Sequence, residues 1–409
     1  MSVATQPPRW VSAPVALRLC FALLFLVFFP QGDQFLARTI GLPMPPTLLF
    51  FVIAAPMLAV VIGRELRLRR QGSPLLALLW RSLPAWVPFV VLALLSLAWA
   101  LHPDAFWEGG PKRIFLLTYD CSIFFTVLAI ATLPAIRDSW RSWLGLSYAA
   151  LLVTTLWDVL QPGTFSQQMG RAAGLAQNAN FSAALLVAAC AGLIRPRHLR
   201  RRDWILLALT AVGVLATLSR GGAVLFGVLL VAYLASAVLA LGPSMRRSAV
   251  RRLFPVVIAA GLILAAAIGA AREGIGMFER PTARARIGIL TGDEDLVSGD
   301  EGRLRLLAQA WEQVVEAPLV GHGTGASYAS GRGFHNMYMD VWVQFGIAGL
   351  LAYLALLAGG AFYFLRQGFL PGLLLIPVMF VWGFLQHGLL DERGLVMLYG
   401  LLVAAALPD

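Results

Sequence analysis

The chain is 409 residues long, 59% hydrophobic and 13% charged, with a formal net charge of +11. A soluble domain carries roughly 25% charged residues, which excludes a water-exposed globule of this size. The positive charge is mostly Arg in short segments between apolar runs, the pattern of membrane topology rather than of a nucleic-acid surface.

The apolar runs approach the length of about 20 residues that crosses a bilayer as helix. They lack the alternation of barrel strands, and an open sheet would leave backbone groups unsatisfied in lipid. The expected fold is therefore all-α and polytopic. Twelve spans are predicted, near residues 15–34, 44–63, 83–101, 114–134, 143–160, 179–194, 204–219, 221–241, 253–271, 340–363, 371–387 and 394–408. No small-x-small cleavage site follows the first run, which reads as a retained helix. Cys20, Cys121 and Cys190 all fall inside spans, without disulfide or metal spacing, and read as small apolar residues.

Arg placement orients the bundle. Arg9 and Arg18, then Arg64, Arg67, Arg69 and Arg70, then Arg137 and Arg141 occupy every second loop. Arg195 to Arg202, Arg246 to Arg252 and Arg366 continue the series. By the positive-inside rule both termini are expected to be cytoplasmic. Residues 1–271 form a nine-span bundle, 272–338 a large extracytoplasmic loop, and 339–409 the last three spans.

An unstructured loop that long is uncommon and usually functional. Ser298 and Glu301 have capping-box spacing, and Leu304, Leu307, Trp311 and Val314 recur at helical spacing, so an amphipathic helix is expected over 299–316, ended by Pro318. One face should lie on the membrane surface or on the bundle. Gly321, Gly323 and Gly325 alternate in the turn that follows, around His322. They allow close backbone approach, either to a ligand or as a plain helix-to-loop turn, but the Lys-Ser/Thr of a nucleotide loop is missing. His335 and Asn336 stand at the mouth of the tenth span. The imidazole is suited to accept a proton near neutral pH, or to sit with Tyr328, Tyr338 and Trp342 in an aromatic belt.

Some arginines are not explained by topology. Arg220, in Ser219-Arg220-Gly221-Gly222, separates two apolar runs with almost no loop, where a guanidinium needs an anionic partner. Arg171, Arg272, Arg280, Arg284, Arg286, Arg303, Arg305 and Arg332 fall on the same outer side, mostly among acidic residues. Several Arg at one membrane face suit a diphosphate whose lipid tail lies between helices. No paired carboxylates or metal cluster are visible, and Gly109 to Arg113 reads only as a charged outer turn.

Residues 165–365 resemble the O-antigen ligase and polymerase superfamily, the WaaL and Wzy proteins. Four segments carry the resemblance in order: Arg171-x-x-Gly174 with Asn178-x-Asn180; Thr217 to Gly221; Ser298-Gly299 to Arg303 with Pro318 to Gly325; and His335-Asn336 with Gln344 to Leu350. The family's aromatic four residues after the loop arginine is Leu307 here, with Trp311 one turn on, so Arg305 stands beside Arg303 as an alternative. The resemblance implies a glycosyltransferase C-type bundle. It implies inverting transfer of a glycan from undecaprenyl diphosphate to the lipid A–core oligosaccharide, without metal, nucleotide or other cofactor. His335, Arg220 and Arg303 would be catalytic, and Arg220, Arg303, Arg305 and Arg171 would bind the donor diphosphate. Ser219, Asn180, Asn336, His322, Gly321 and Gly323 would support them.

Three other readings remain. A Wzy-type polymerase and a protein O-oligosaccharyltransferase share the donor. A twelve-span transporter would need intramembrane acids, for which Asp120 and Asp158 are the candidates, and internal repeats, which the chain lacks.

Overall fold

The computed structural model describes residues 15–41, 44–68, 72–100, 110–167, 170–195, 201–240, 297–328, 333–386 and 392–407. Every regular element among them is helical: α1 Val15–Phe28, α2 Gly32–Ile40, α3 Pro46–Leu68, α4 Pro74–Arg81, α5 Leu83–Ala100, α6 Gly110–Ile130, α7 Pro134–Arg137, α8 Trp140–Leu160, α9 Ala179–Leu193, α10 Arg201–Ala216, α11 Arg220–Ala240, α12 Val297–Glu316, α13 Met337–Arg366, α14 Leu370–Leu385 and α15 Arg393–Ala405. The fold is that of a multi-pass membrane protein.

Each expected span within the described residues overlaps a helix, though the first, 15–34, runs across the break between α1 and α2. The ninth, 253–271, lies outside them, as do Arg272, Arg280, Arg284, Arg286, Arg332 and the side chains of Ser298 and Glu301. By length and composition four helices can cross a bilayer, or six if two bent pairs each count as one span; α9, α14 and α15 are apolar but shorter, as is the first part of α11. The bent pairs are α1 with α2, at 77°, and α4 with α5, at 81°. The twelve-span expectation is thus not established by helix length.

Two helices form the centre. α9 is buried along nearly its whole length and α15 likewise, which is what helices apolar all round require. The small residues of α9 (Ala183, Ala184, Ala188, Ala189, Cys190, Ala191 and Gly192) admit neighbours closely where hydrophobic burial gives no drive in lipid. α8, α10, α11 and α14 pack around α9, while α6 packs on α15 and α5 runs along α13. Cys190 is fully buried in this core, and all three cysteines are free.

The basic loop residues gather at one end of the bundle, termed here the far face. There Arg64 donates from Nη1 to the Thr132 carbonyl (2.8 Å) and Arg137 from Nη2 to the Leu407 carbonyl (2.7 Å). The opposite end, the site face, carries α12 and the N-termini of α9, α11, α13 and α15.

Candidate functional site

The Arg220 turn is a strained connection between two helices. α10 ends at Ala216, Leu218 takes φ +49°, and α11 starts at Arg220. A left-handed leucine is a costly conformation that its surroundings must enforce. Thr217 Oγ1 donates to the Val214 carbonyl (2.7 Å) and accepts from the Ser219 amide (3.2 Å). Ser219 Oγ caps α11 by accepting from Gly222 N (3.1 Å) and donates to Asn180 Oδ1 (2.8 Å). Arg171 donates from Nη2 to the same Asn180 oxygen (2.7 Å) and from Nε to the Thr217 carbonyl (3.2 Å). Two of the four segments that carry the resemblance therefore meet. Arg171, however, is buried and turns these nitrogens to the turn, whereas Arg220 is exposed at the helix N-terminus.

Arg171 owes its place to Asp158. The carboxylate, at the end of α8, is buried and accepts four backbone amides: Phe165 (2.8 Å), Ser166 (2.9 Å), Ala173 (3.1 Å) and Gly174 (3.0 Å). It organises the loop on both sides of Arg171. A carboxylate with four amide donors is a fastening point, so the ion-coupling candidacy of Asp158 has no support here.

His335 is the second strained residue, with φ +52°. Asn336 follows it and caps α13, its Oδ1 accepting from Met339 N (3.1 Å). His335 Nδ1 lies 3.1 Å from Gln386 Oε1. An amide oxygen only accepts, so the proton is on Nδ1 and Nε2 is the basic nitrogen of the ring. Gln386 directly follows α14, and the preceding Leu385 lies against Gly221, 3.5 Å from where a Cβ would stand. The end of α14 thus joins the His335 turn to the Arg220 turn. The aromatic-belt alternative does not describe Tyr338, which is buried, donates to the Phe380 carbonyl (2.9 Å) and packs on Tyr353 and Phe384.

α12 begins at residue 297, two residues before the expected start, and ends at the expected Glu316. It docks through Ala310 and Val314 onto Phe334 and Val343. At about 100° per residue, Arg303, Leu307, Ala310 and Val314 share one stripe, and Arg305 points well away from it. Arg303 is exposed, two turns before the docked part and on the side that faces the bundle. Arg303 thus shares the stripe of the docked residues and Arg305 does not.

The glycine turn after α12 holds backbone rather than ligand. α13 is broken at Gly346, which has φ +64°. The break frees the Val343 and Gln344 carbonyls, and these accept from His322 N (2.7 Å) and Gly323 N (3.0 Å). Ile347 N donates to the Pro318 carbonyl (3.0 Å) in exchange. A Cβ at Gly321 would meet Gly346 N at 2.5 Å, and one at Gly346 would meet the Leu319 oxygen at 2.1 Å. The motif Gly321-x-Gly323 and the motif Gln344-Phe345-Gly346 are two halves of one clamp. His322 belongs to it, its Nε2 donating to the Gln313 carbonyl at the end of α12 (2.6 Å).

Residues 205–354 match the family model described as O-Antigen ligase. These residues form a domain of the O-antigen ligase family. No curated protein matches the chain. The matched stretch takes in the Arg220 turn, α12, the glycine clamp and His335, and it supports an O-antigen ligase- or polymerase-type function in general, a family that implies a lipid-linked glycan donor and a lipid acceptor. Arg171, Asn180 and Gln386 lie outside the matched residues and are joined to the ligase-family domain only by the contacts above.

Several polar groups were not anticipated from the sequence. Arg113 donates from Nη2 to Asp340 Oδ2 (2.8 Å), both fully buried. Gln344 continues the network, with Nε2 to Asp340 Oδ2 (3.0 Å) and to Ser327 Oγ (3.0 Å), and with Oε1 accepting from Gly325 N (2.9 Å). The charged outer turn at residue 113 is thus a buried anchor for α13. A second cluster pairs Arg393 with Asp33 and Gln31 with Glu392 across the ends of α2 and α15. Burial pushes the Glu392 carboxyl up to about 7, against the opposing pull of the Gln31 hydrogen bond and the Arg393 charge. Gln386 and Glu392 left no periodic or motif signal in the sequence. Among the described residues no three His, Cys, Asp or Glu side chains gather as a metal site would require.

Proposed function

We propose that this chain is an O-antigen ligase, transferring a glycan from undecaprenyl diphosphate to the lipid A–core oligosaccharide on the extracytoplasmic side of the inner membrane. The observation that supports the proposal is the contact of His335 Nδ1 with Gln386, the residue after Leu385, which lies against the Arg220 turn; with Nδ1 as donor, Nε2 is the nitrogen left to act as base. The helical bundle is read as a glycosyltransferase C type. The far-face arginines support cytoplasmic termini, which puts the site face outside.

His335 Nε2 takes the proton of the acceptor hydroxyl as its oxygen attacks the anomeric carbon. The new glycosidic bond forms on the face opposite the diphosphate, and the bond from that carbon to the diphosphate oxygen breaks with its electron pair. The configuration inverts. Arg220 and Arg303 bind the undecaprenyl diphosphate and stabilise the charge developing on the leaving oxygen. Arg171 and Asn180 hold the Arg220 turn in its strained form. The sugar–phosphate bond is already activated, so nucleotide hydrolysis is unnecessary.

The test is a reconstituted transfer with purified protein, undecaprenyl-diphosphate glycan and lipid A–core, without ATP or added metal. Labelled lipid A–core is the expected product, absent with His335→Ala. Extension of lipid-linked units in place of that product would make the chain a polymerase. Transfer to a protein alone would make it an oligosaccharyltransferase.

A further inference from the structure

α12 has more apolar surface than its docking uses. Arg303, Leu307, Ala310 and Val314 form the bundle-facing stripe. Leu304, Ala308, Trp311 and Val315 form a second stripe, rotated by about 100° from the first at 100° per residue. Leu304 is 67% exposed, Trp311 51% and Val315 59%. A third stripe, about 100° further round, is polar: Arg305, Gln309, Glu312 and Glu316, all exposed. Leu319 and Val320 extend the apolar stripe beyond the end of the helix and are also exposed.

We infer that this second stripe is inserted in the outer leaflet of the bilayer, so that α12 lies at the membrane surface against the rim of the bundle. Three stripes at these angles meet three media: protein on one side, lipid below, water above. A helix with one apolar face needs only two.

Indole groups mark the level. Trp311 stands edge-on to Trp342, with ring centroids 6.1 Å apart. Trp342 Nε1 donates to the Pro318 carbonyl (3.0 Å) and Trp99 Nε1 to the Val320 carbonyl (2.7 Å). Trp99 is on the last turn of α5 and Trp342 is on α13, so both stand where spanning helices leave the hydrocarbon, the depth that tryptophan favours. The exposed Leu319 and Val320 are thus tied to the end of a spanning helix through Trp99. An exposed apolar segment held at that level meets the lipid that the spanning helix meets. Interfacial helices have this build, with Trp and Leu on one side and charges on the other. Arg303, on the docked stripe, is then held at headgroup depth, where a lipid-linked anion presents its charge.

The inference rests on the membrane placement of the bundle and not on the transfer chemistry, so its test reads no activity. Single cysteines at 304, 315, 309 and 312, in a C20A/C121A/C190A background, are spin-labelled and the protein placed in phospholipid nanodiscs. Labels at 304 and 315 are expected to be relaxed by oxygen and shielded from a water-soluble nickel chelate, with the reverse at 309 and 312. Nickel access at 304 and 315 equal to that at 312 overturns the inference. So does shielding of 304 and 315 from both reagents, which means a protein occupant. A second measurement keeps all native cysteines. Bromolipid quenching of tryptophan emission is expected to fall in Trp311→Phe relative to the unaltered chain, and an unchanged quenched fraction also overturns it.

Discussion

The segments 317–327 and 333–337 are neighbours in sequence, each holds a histidine, and they are built in opposite ways. In the first, amide and carbonyl groups meet the broken turn of α13 directly, and His322 donates to a helix-end carbonyl. In the second, the backbone is strained at His335 and the ring meets the Gln386 side-chain amide. A backbone clamp has no room for a Cβ and nothing to offer a substrate. A side chain held at a strained position is poised for chemistry and contributes little to folding. Lesions in the clamp should therefore cost structure, and lesions in the histidine turn should cost rate.

The sharpest way to break that contrast is Gly346→Ala. Its methyl group would stand 2.1 Å from the Leu319 oxygen at a positive φ, and no monodisperse peak should survive size exclusion in detergent. A well-behaved peak would mean that the clamp is not structural.

His335→Ala comes next, with an expected loss in transfer rate of roughly 10²- to 10⁴-fold, the usual contribution of a general base, and unchanged thermal stability. A variant that instead melts early would move His335 to the structural side.

Gln386→Ala should lower the rate by about tenfold, since the ring keeps its basic nitrogen but loses its orientation. Its KM should stay put, and Gln386→Asn should recover little because the oxygen is drawn back by a methylene. A change in KM alone would point to substrate contact.

His322→Ala should leave transfer nearly intact and cost about 1 kcal/mol of stability, one hydrogen bond at a helix end. Equal rate losses at His322 and His335 would erase the distinction between the two histidines.

At Glu392 the expected effect is confined to the pH dependence of stability. Its folded pKa of about 7 lies above the ordinary carboxylate value, so the folded state holds a proton the unfolded state releases. Stability should fall as pH rises through the window from about 4.5 to 7, and Glu392→Gln should flatten that part of the curve. Parallel melting curves for the two chains between pH 5 and 8 would show that the carboxyl is not so buried in solution.

Much of this fold was readable in advance where the cause is local. Span length follows from the run of apolar residues, and the helix at 299–316 followed from its period and from Pro318. The Arg220 turn was found because an arginine between two apolar runs is expensive wherever the rest of the chain goes. The same reading chose Arg303 but kept Arg305 as a substitute, offered the glycines to a ligand or to a turn, and named Asp158 as an ion-coupling candidate under the transporter alternative. It had no account of Arg113.

Those open points share a physical origin. A hydrogen bond is made to whichever partner the packing delivers, and the partners here are remote: Asp340 for Arg113, Gln386 for His335, the Val343 carbonyl for His322. Hydrophobic length and loop charge act through the solvent, which is the same for every copy of a residue type, so the sequence by itself determined the membrane class, the helices and the side on which charge collects. Which arginine shares the docked stripe of α12, which histidine meets a glutamine side chain and which carboxylate is consumed by backbone amides depend on contacts between distant segments, and only the tertiary structure decided them.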